Sequence, residues 1–145
     1  MDRTDYQILN ILQMDCRTTL KHIGDQVGLT APAVSERVRR MEEKGVIRNF
    51  RIEVDRERLD CSMTGFIFVA VEPEKYSTFC DFCQKTPAIV SHYHVIGVFN
   101  ALLRFAVRGT RELDELLSSI KRYGDSQTSV ELKTYFETKG IPLPD

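Results

Sequence analysis

The side chains richest in chemistry fall in the second half of the chain. Cys80-Asp81-Phe82-Cys83 sets two thiols three residues apart, and His92 and His94 follow with two imidazoles. Two cysteines and two histidines are the donor set of a tetrahedral zinc site. Yet Tyr76, Phe79, Cys80 and Cys83 stand at i, i+3, i+4 and i+7. That is the spacing of a buried helical stripe, where a free cysteine behaves as a small apolar group. His92 and His94 share one face of a strand and equally suit a dimer interface. A thioredoxin-like redox pair belongs where a strand meets the start of a helix, and this pair lies well inside one. The expectation is therefore no metal site and no cofactor. With no glycine-rich phosphate loop and no nucleophile–base arrangement, the chain is not expected to be an enzyme.

Charge is the other concentration. Residues 30–51 carry Arg37, Arg39, Arg40, Lys44, Arg48 and Arg51 against Glu36, Glu42 and Glu43, inside a 145-residue chain of formal charge −1. Bulk attraction cannot draw such a protein to a polyanion, so affinity for phosphates must come from this window.

The elements that would present these arginines are legible by spacing. Ile8, Leu9 and Leu12 share one face of an opening helix, with Asp2 and Asp5 at its positive end. Leu20, Ile23 and Val27 repeat the pattern in a second helix, which Gly28 ends in a left-handed cap. Thr30 caps a third helix, with Pro32 tolerated in its first turn. Val34, Val38 and Met41 form the packing stripe of that helix, and Gly45 stops it. A short apolar strand is expected at 47–54. Helix, tight turn, arginine-rich helix and strand make a winged helix-turn-helix, shaped to lay one helix in the major groove of double-stranded DNA.

At about 100° per residue, Pro32, Ser35, Glu36 and Arg39 project away from the packing stripe. The amino-terminal half of a recognition helix meets base edges, so Thr30, Ala31, Pro32, Ser35, Glu36 and Arg39 are the expected base readers. Arg37, Arg40 and Lys44 form a flanking row suited to phosphates, with Arg48 and Arg51 beside the wing.

The rest of the chain reads differently. Residues 1–54 form the helix-turn-helix unit, 55–63 a hinge, and 64–145 a second domain. Its expected strands are 64–72, 89–96, 100–108 and 130–136, with helices at 73–85 and 110–122. That β-α-β-β-α-β order predicts a ferredoxin-like plait, so the fold class is α+β. Gly65-Phe66-Ile67-Phe68-Val69-Ala70-Val71 is apolar on both alternating faces. One face packs under the helices, and the other predicts a homodimer with its sheets face to face. Asp2, Arg3 and Asp5 occupy the place of a signal peptide's apolar run, and no stretch approaches about 18 apolar residues. A cytoplasmic protein with reduced thiols and no membrane partner is expected.

Five segments carry a resemblance to a known family. They are Asp5-Tyr6-Gln7-Ile8-Leu9, Val27-Gly28-Leu29-Thr30, Ser35-Glu36-Arg37-Val38-Arg39-Arg40-Met41-Glu42, Gly45-Val46-Ile47, and Gly97-Val98-Phe99-Asn100-Ala101-Leu102-Leu103. Together they resemble the Lrp/AsnC (feast/famine) transcriptional regulators over nearly the whole chain. The resemblance implies a plait that dimerises and assembles further, commonly to octamers. It also implies a small effector, typically an amino acid, bound near the turn between the second and third strands. Carried over, that turn is Gly97, Val98, Phe99, Asn100 and Ala101, with Thr128 joining from the loop before the last strand. Many relatives have an aspartate where this chain has Asn100, and an amide meets an ammonium without charge assistance. Two rivals stand beside this reading. One is an architectural protein that bends DNA with little sequence preference and no effector. The other is a metal-dependent enzyme or sensor built on Cys80, Cys83, His92 and His94.

Overall fold

The computed structural model describes residues 1–136 and 138–144. It divides into two compact units: Met1–Glu53 with Phe136–Asp145, and Val54–Tyr135. Glu137 and Asp145, which the expected second domain includes, lie outside the described residues.

The first unit is three helices: α1 (Arg3–Met14), α2 (Leu20–Val27) and α3 (Ala31–Glu43). Each starts where a side chain satisfies an orphan backbone N–H. Asp2 and Asp5 close a reciprocal capping box on α1, the Asp5 N–H donating to Asp2 at 2.9 Å and the Asp2 N–H to Asp5 at 3.0 Å. The Thr19 hydroxyl accepts from His22 N–H on α2, and the Thr30 hydroxyl accepts from Ala33 N–H on α3. The turn between α2 and α3 needs two glycines. Gly28 takes φ +71° at the end of α2. Gly24 lets the Leu29 carbonyl come so close that an added Cβ would lie 2.3 Å from its oxygen. Ile8, Leu9, Ile23, Val34 and Met41 are buried between the helices, with Val27, Leu29, Val38 and Ile47 packed around them.

The wing strand expected at 47–54 does not form. Residues 48–55 have no regular secondary structure, and Ile52 is 81% exposed. A strand needs a neighbour for its backbone groups, and no described segment of this unit pairs with it.

The second unit is the expected plait. Its elements are β1 (Met63–Val71), α4 (Tyr76–Lys85), β2 (Ile89–His94), β3 (Ala101–Val107), α5 (Thr110–Ile120) and β4 (Gly124–Val130). The strands lie in the order β2-β3-β1-β4, all antiparallel. Ile67, Val69, Val71, Leu103, Phe105 and Val107 point to the helix side and are buried with Phe79 and Cys83 of α4 and Leu113, Leu116 and Ile120 of α5.

The last strand falls at Gly124–Val130, where 130–136 was expected. The sequence of β4, Gly-Asp-Ser-Gln-Thr-Ser-Val, has no apolar alternation because it is an edge strand with little buried surface. Val130, Leu132 and Phe136, which fall in the span where the strand was expected, are exposed. Gly124 sets where β4 begins: φ is +153°, and a Cβ there would lie 1.9 Å from the Ala70 carbonyl oxygen. Thr128 therefore belongs to a strand, opposite Ile67, and not to a loop before it.

Among the described residues of its own unit, nothing covers the sheet face turned away from the helices. It presents Phe66, 37% exposed, and Tyr93, with Phe68, Ala70, Leu102 and Ala106 half-buried. Arg104 lies on this face, 5.8 Å from the Phe66 ring centre and 3.3 Å from the Glu131 carboxylate. Glu131 also accepts from the Thr64 hydroxyl at 3.0 Å.

Candidate nucleic-acid interface and effector turn

The packing of Val34 and Met41 against α1 and α2 decides which side of α3 faces outward. Thr30, Pro32, Ser35, Glu36, Arg39, Arg40 and Lys44 are exposed, while Ala31 and Arg37 are half-buried. The guanidinium groups on this helix have unequal freedom. Arg39 forms a two-pronged pair with Glu36, Nη2 to Oε1 at 2.7 Å and Nε to Oε2 at 2.9 Å, and also pairs with Glu43. These fork contacts hold the Glu36 carboxyl below the usual range and the Arg39 guanidinium above its own. All three side chains are solvent-exposed, so the pairs are weak and exchangeable. Arg39 remains available to another acceptor.

Arg37 is different. Its Nη1 reaches Asp2 and Asp5, each at 2.7 Å. For Asp2 the Arg37 contact is the main cause that lowers its pKa. For Asp5 burial pushes upward, but the Asp2 N–H and Arg37 outweigh it and leave the carboxyl below its ordinary value. The side chain expected to touch phosphate instead ties α3 to the amino-terminal end of α1. Arg40 and Lys44 are exposed and enter no ion pair among the described residues, which leaves them as the cations of that flank.

The turn joining β2 to β3 contains Gly97, Val98, Phe99 and Asn100, and Ala101 opens β3. Val95 N–H donates to the Asn100 carbonyl at 3.0 Å and closes it. Ile96 and Val98 stand fully out of the protein, and Phe99 lies against Phe68 with ring centres 6.0 Å apart. Asn100 turns inward. Its side-chain oxygen accepts Val71 N–H at 2.8 Å, and its amide nitrogen donates to the Val71 carbonyl at 2.9 Å. The carboxamide thus continues the β1–β3 ladder by one rung, which an aspartate could do only by half. Ala101 is fully buried. Thr128 is not part of the turn, since β1 separates its strand from β3.

His92 and His94 do not line the open sheet face. They oppose Leu103 and Ala101 on the helix side, where the His94 ring lies 4.6 Å from Tyr76 and the His92 ring 5.3 Å from Phe79. His92 Nε2 is buried with no hydrogen-bond partner among the described residues, and burial lowers its pKa, assisted by His94. Cys83 sits in the core, its thiol pushed up to about 12 by burial. Among the described residues no group of three or more His, Cys, Asp or Glu is placed to hold a metal ion.

Spacing alone did not foretell the Arg37 bridge or the Asn100 clamp. The signal for the first was the pair of acids at the start of α1. The second had no signal beyond the identity of Asn100.

Comparison with known proteins bears on the whole chain. Residues 1–42 match the model of the AsnC-type helix-turn-helix domain, and residues 64–141 that of the Lrp/AsnC ligand binding domain. An HTH-type transcriptional regulator of Pyrococcus horikoshii, FL11, is 34% identical across 99% of this chain and 97% of its own length. LrpB of Bacillus subtilis is 29% identical over 92% of this chain and 89% of its own. Among solved structures, B. subtilis LrpC superposes with a TM-score of 0.87 at 25% identity, covering 96% of this chain and 99% of its own. A Neisseria meningitidis transcriptional regulator in complex with L-methionine superposes with a TM-score of 0.90 at 22% identity, covering 98% of this chain and 96% of its own. An AsnC-type helix-turn-helix followed by a plait of matching topology, over this span, places the chain in the Lrp/AsnC family of transcriptional regulators.

Proposed function

We propose that the protein is a cytoplasmic regulator that acts by binding rather than catalysis, as a homodimer or larger assembly on double-stranded DNA. The observation that carries this reading is the outward face of α3, capped by Thr30 and bearing Arg39, Arg40 and Lys44. Thr30, Ala31, Pro32, Ser35, Glu36 and Arg39 are assigned to base edges, and Arg40 and Lys44 to phosphates. Arg37 is assigned to positioning, through Asp2 and Asp5. The open apolar sheet face supports pairing of two plaits, which supplies two reading helices for a two-fold site.

The turn at Gly97, Val98, Phe99, Asn100 and Ala101 is assigned to a small effector, an amino acid by analogy with the methionine complex of the Neisseria relative. Such a ligand would act by favouring one assembly state over another. A second reading, an architectural protein with little base preference and no effector, is favoured by Asn100, an uncharged carboxamide whose oxygen and nitrogen are both engaged by the Val71 backbone.

Binding to DNA selected in vitro, compared with random duplex across a salt series, separates these readings. A regulator prefers the selected sequence, and an architectural protein binds both alike. In either case Lys44→Ala should weaken binding to all sequences and reduce the slope of log affinity against log salt by about one. Unchanged affinity and slope would remove Lys44 from the interface.

A further inference from the structure

Residues 141–143 group with the amino-terminal unit. Gln13, near the end of α1, grips Ile141 by both backbone groups: Ile141 N–H donates to the Gln13 side-chain oxygen at 2.6 Å, and the Gln13 amide donates to the Ile141 carbonyl at 3.2 Å. Leu143 packs against the cluster of Ile8, Leu9, Ile23, Val34 and Met41. Pro142 and Pro144 flank Leu143. Their rings fix φ and lower the entropy lost when an extended segment docks.

The chain therefore crosses between its two units twice, at 53–54 and again at 135–136. A body held by one flexible connection samples a wide range of positions, and a second attachment removes most of them. We propose that the face of α1 around Gln13 is a docking surface for the chain's own Ile-Pro-Leu-Pro tail. The docked tail is a second tether that narrows the separations at which the two α3 helices of a dimer can be placed. This rests on the DNA-binding reading above, whereas the docking itself does not.

Amide hydrogen exchange on the full chain tests the docking. Ile141 N–H should exchange at least about tenfold more slowly than in an unfolded chain, and Gln13→Ala should abolish that protection. An Ile141 amide that exchanges freely in the wild type overturns the docking. A series of duplexes carrying two copies of the selected half-site at graded spacings tests the tether. The wild type should accept a narrow range. Leu143→Asp and a chain ending at Lys139 should each accept a broader one, with affinity for a single half-site unchanged. Identical spacing profiles overturn the tether. A wild type with no preference for selected DNA would instead count against the regulator reading, and the exchange result then decides the docking alone.

Discussion

Arg37 reaches back 35 and 32 residues to Asp2 and Asp5, and so joins the first turn of α1 to the middle of α3. Asp5 is 12% exposed on its side chain, so the Arg37–Asp5 bond is partly withdrawn from solvent. Arg37→Ala should cost about 1.5–3 kcal/mol in urea denaturation at neutral pH, the range for hydrogen bonds to charged groups. The sign of its pH dependence follows from the lowered carboxyls. The bridge contributes fully above their ordinary value of 3.8 and fades as pH falls through the depressed folded values. The gap between wild type and variant should therefore close in acid, and a gap that persists there would show that Arg37 acts through packing alone. Helical spacing places Arg37 correctly on its flank, but it describes one helix at a time and cannot reveal a partner on another. Asn100 repeats the point. Its identity was plain in the sequence, while the Val71 backbone it grips lies 29 residues away.

Elements with strong periodicity and caps were legible. Thr30, Pro32, Gly28 and the Val34–Val38–Met41 stripe bound α3 as it stands, because helix ends are governed by local backbone chemistry. The failures were both strands. The expected wing has apolar residues but pairs with no strand among the described residues, and β4 has a neighbour but few apolar residues. Pairing is non-local, so a strand with a polar exposed edge leaves little trace in its own sequence. Gly24 was likewise silent, since nothing local marks the carbonyl pressed against it. Gly24→Ala would force a methyl into the Leu29 carbonyl oxygen, 2.3 Å away. The backbone must shift, and overpacking of this kind costs about 1–3 kcal/mol. Thermal unfolding of the variant should show the loss together with weakened DNA binding. A variant with wild-type stability would mean that the turn has slack the geometry does not show.

Across the molecule, the two units carry surfaces of different chemistry. The helical unit turns cations outward on α3, and the plait leaves an apolar face bearing Phe66, Phe68, Leu102 and Tyr93. That both alternating faces of β1 are apolar was evident from its sequence, and the face-to-face pairing inferred from it has a direct test. Phe66→Asp places a carboxylate on the uncovered face beside Phe68. Sedimentation should show monomers where the wild type gives dimers or larger species, and intact dimers in the variant would overturn that interface. The division of the chain was less legible. Phe136–Asp145 group by contact with the helices, and the contacts of Gln13 and Leu143 that bring this about are announced by no composition shift. Cys83 has a practical consequence at this scale. Its thiol, 4% exposed and held up near 12, is almost wholly protonated at neutral pH and shielded by the plait core. An alkylating reagent reaches it only when that core opens. Its labelling rate, read apart from those of the half-buried Cys16, Cys61 and Cys80, is therefore a clock for the opening of the plait core, already built into the wild-type chain.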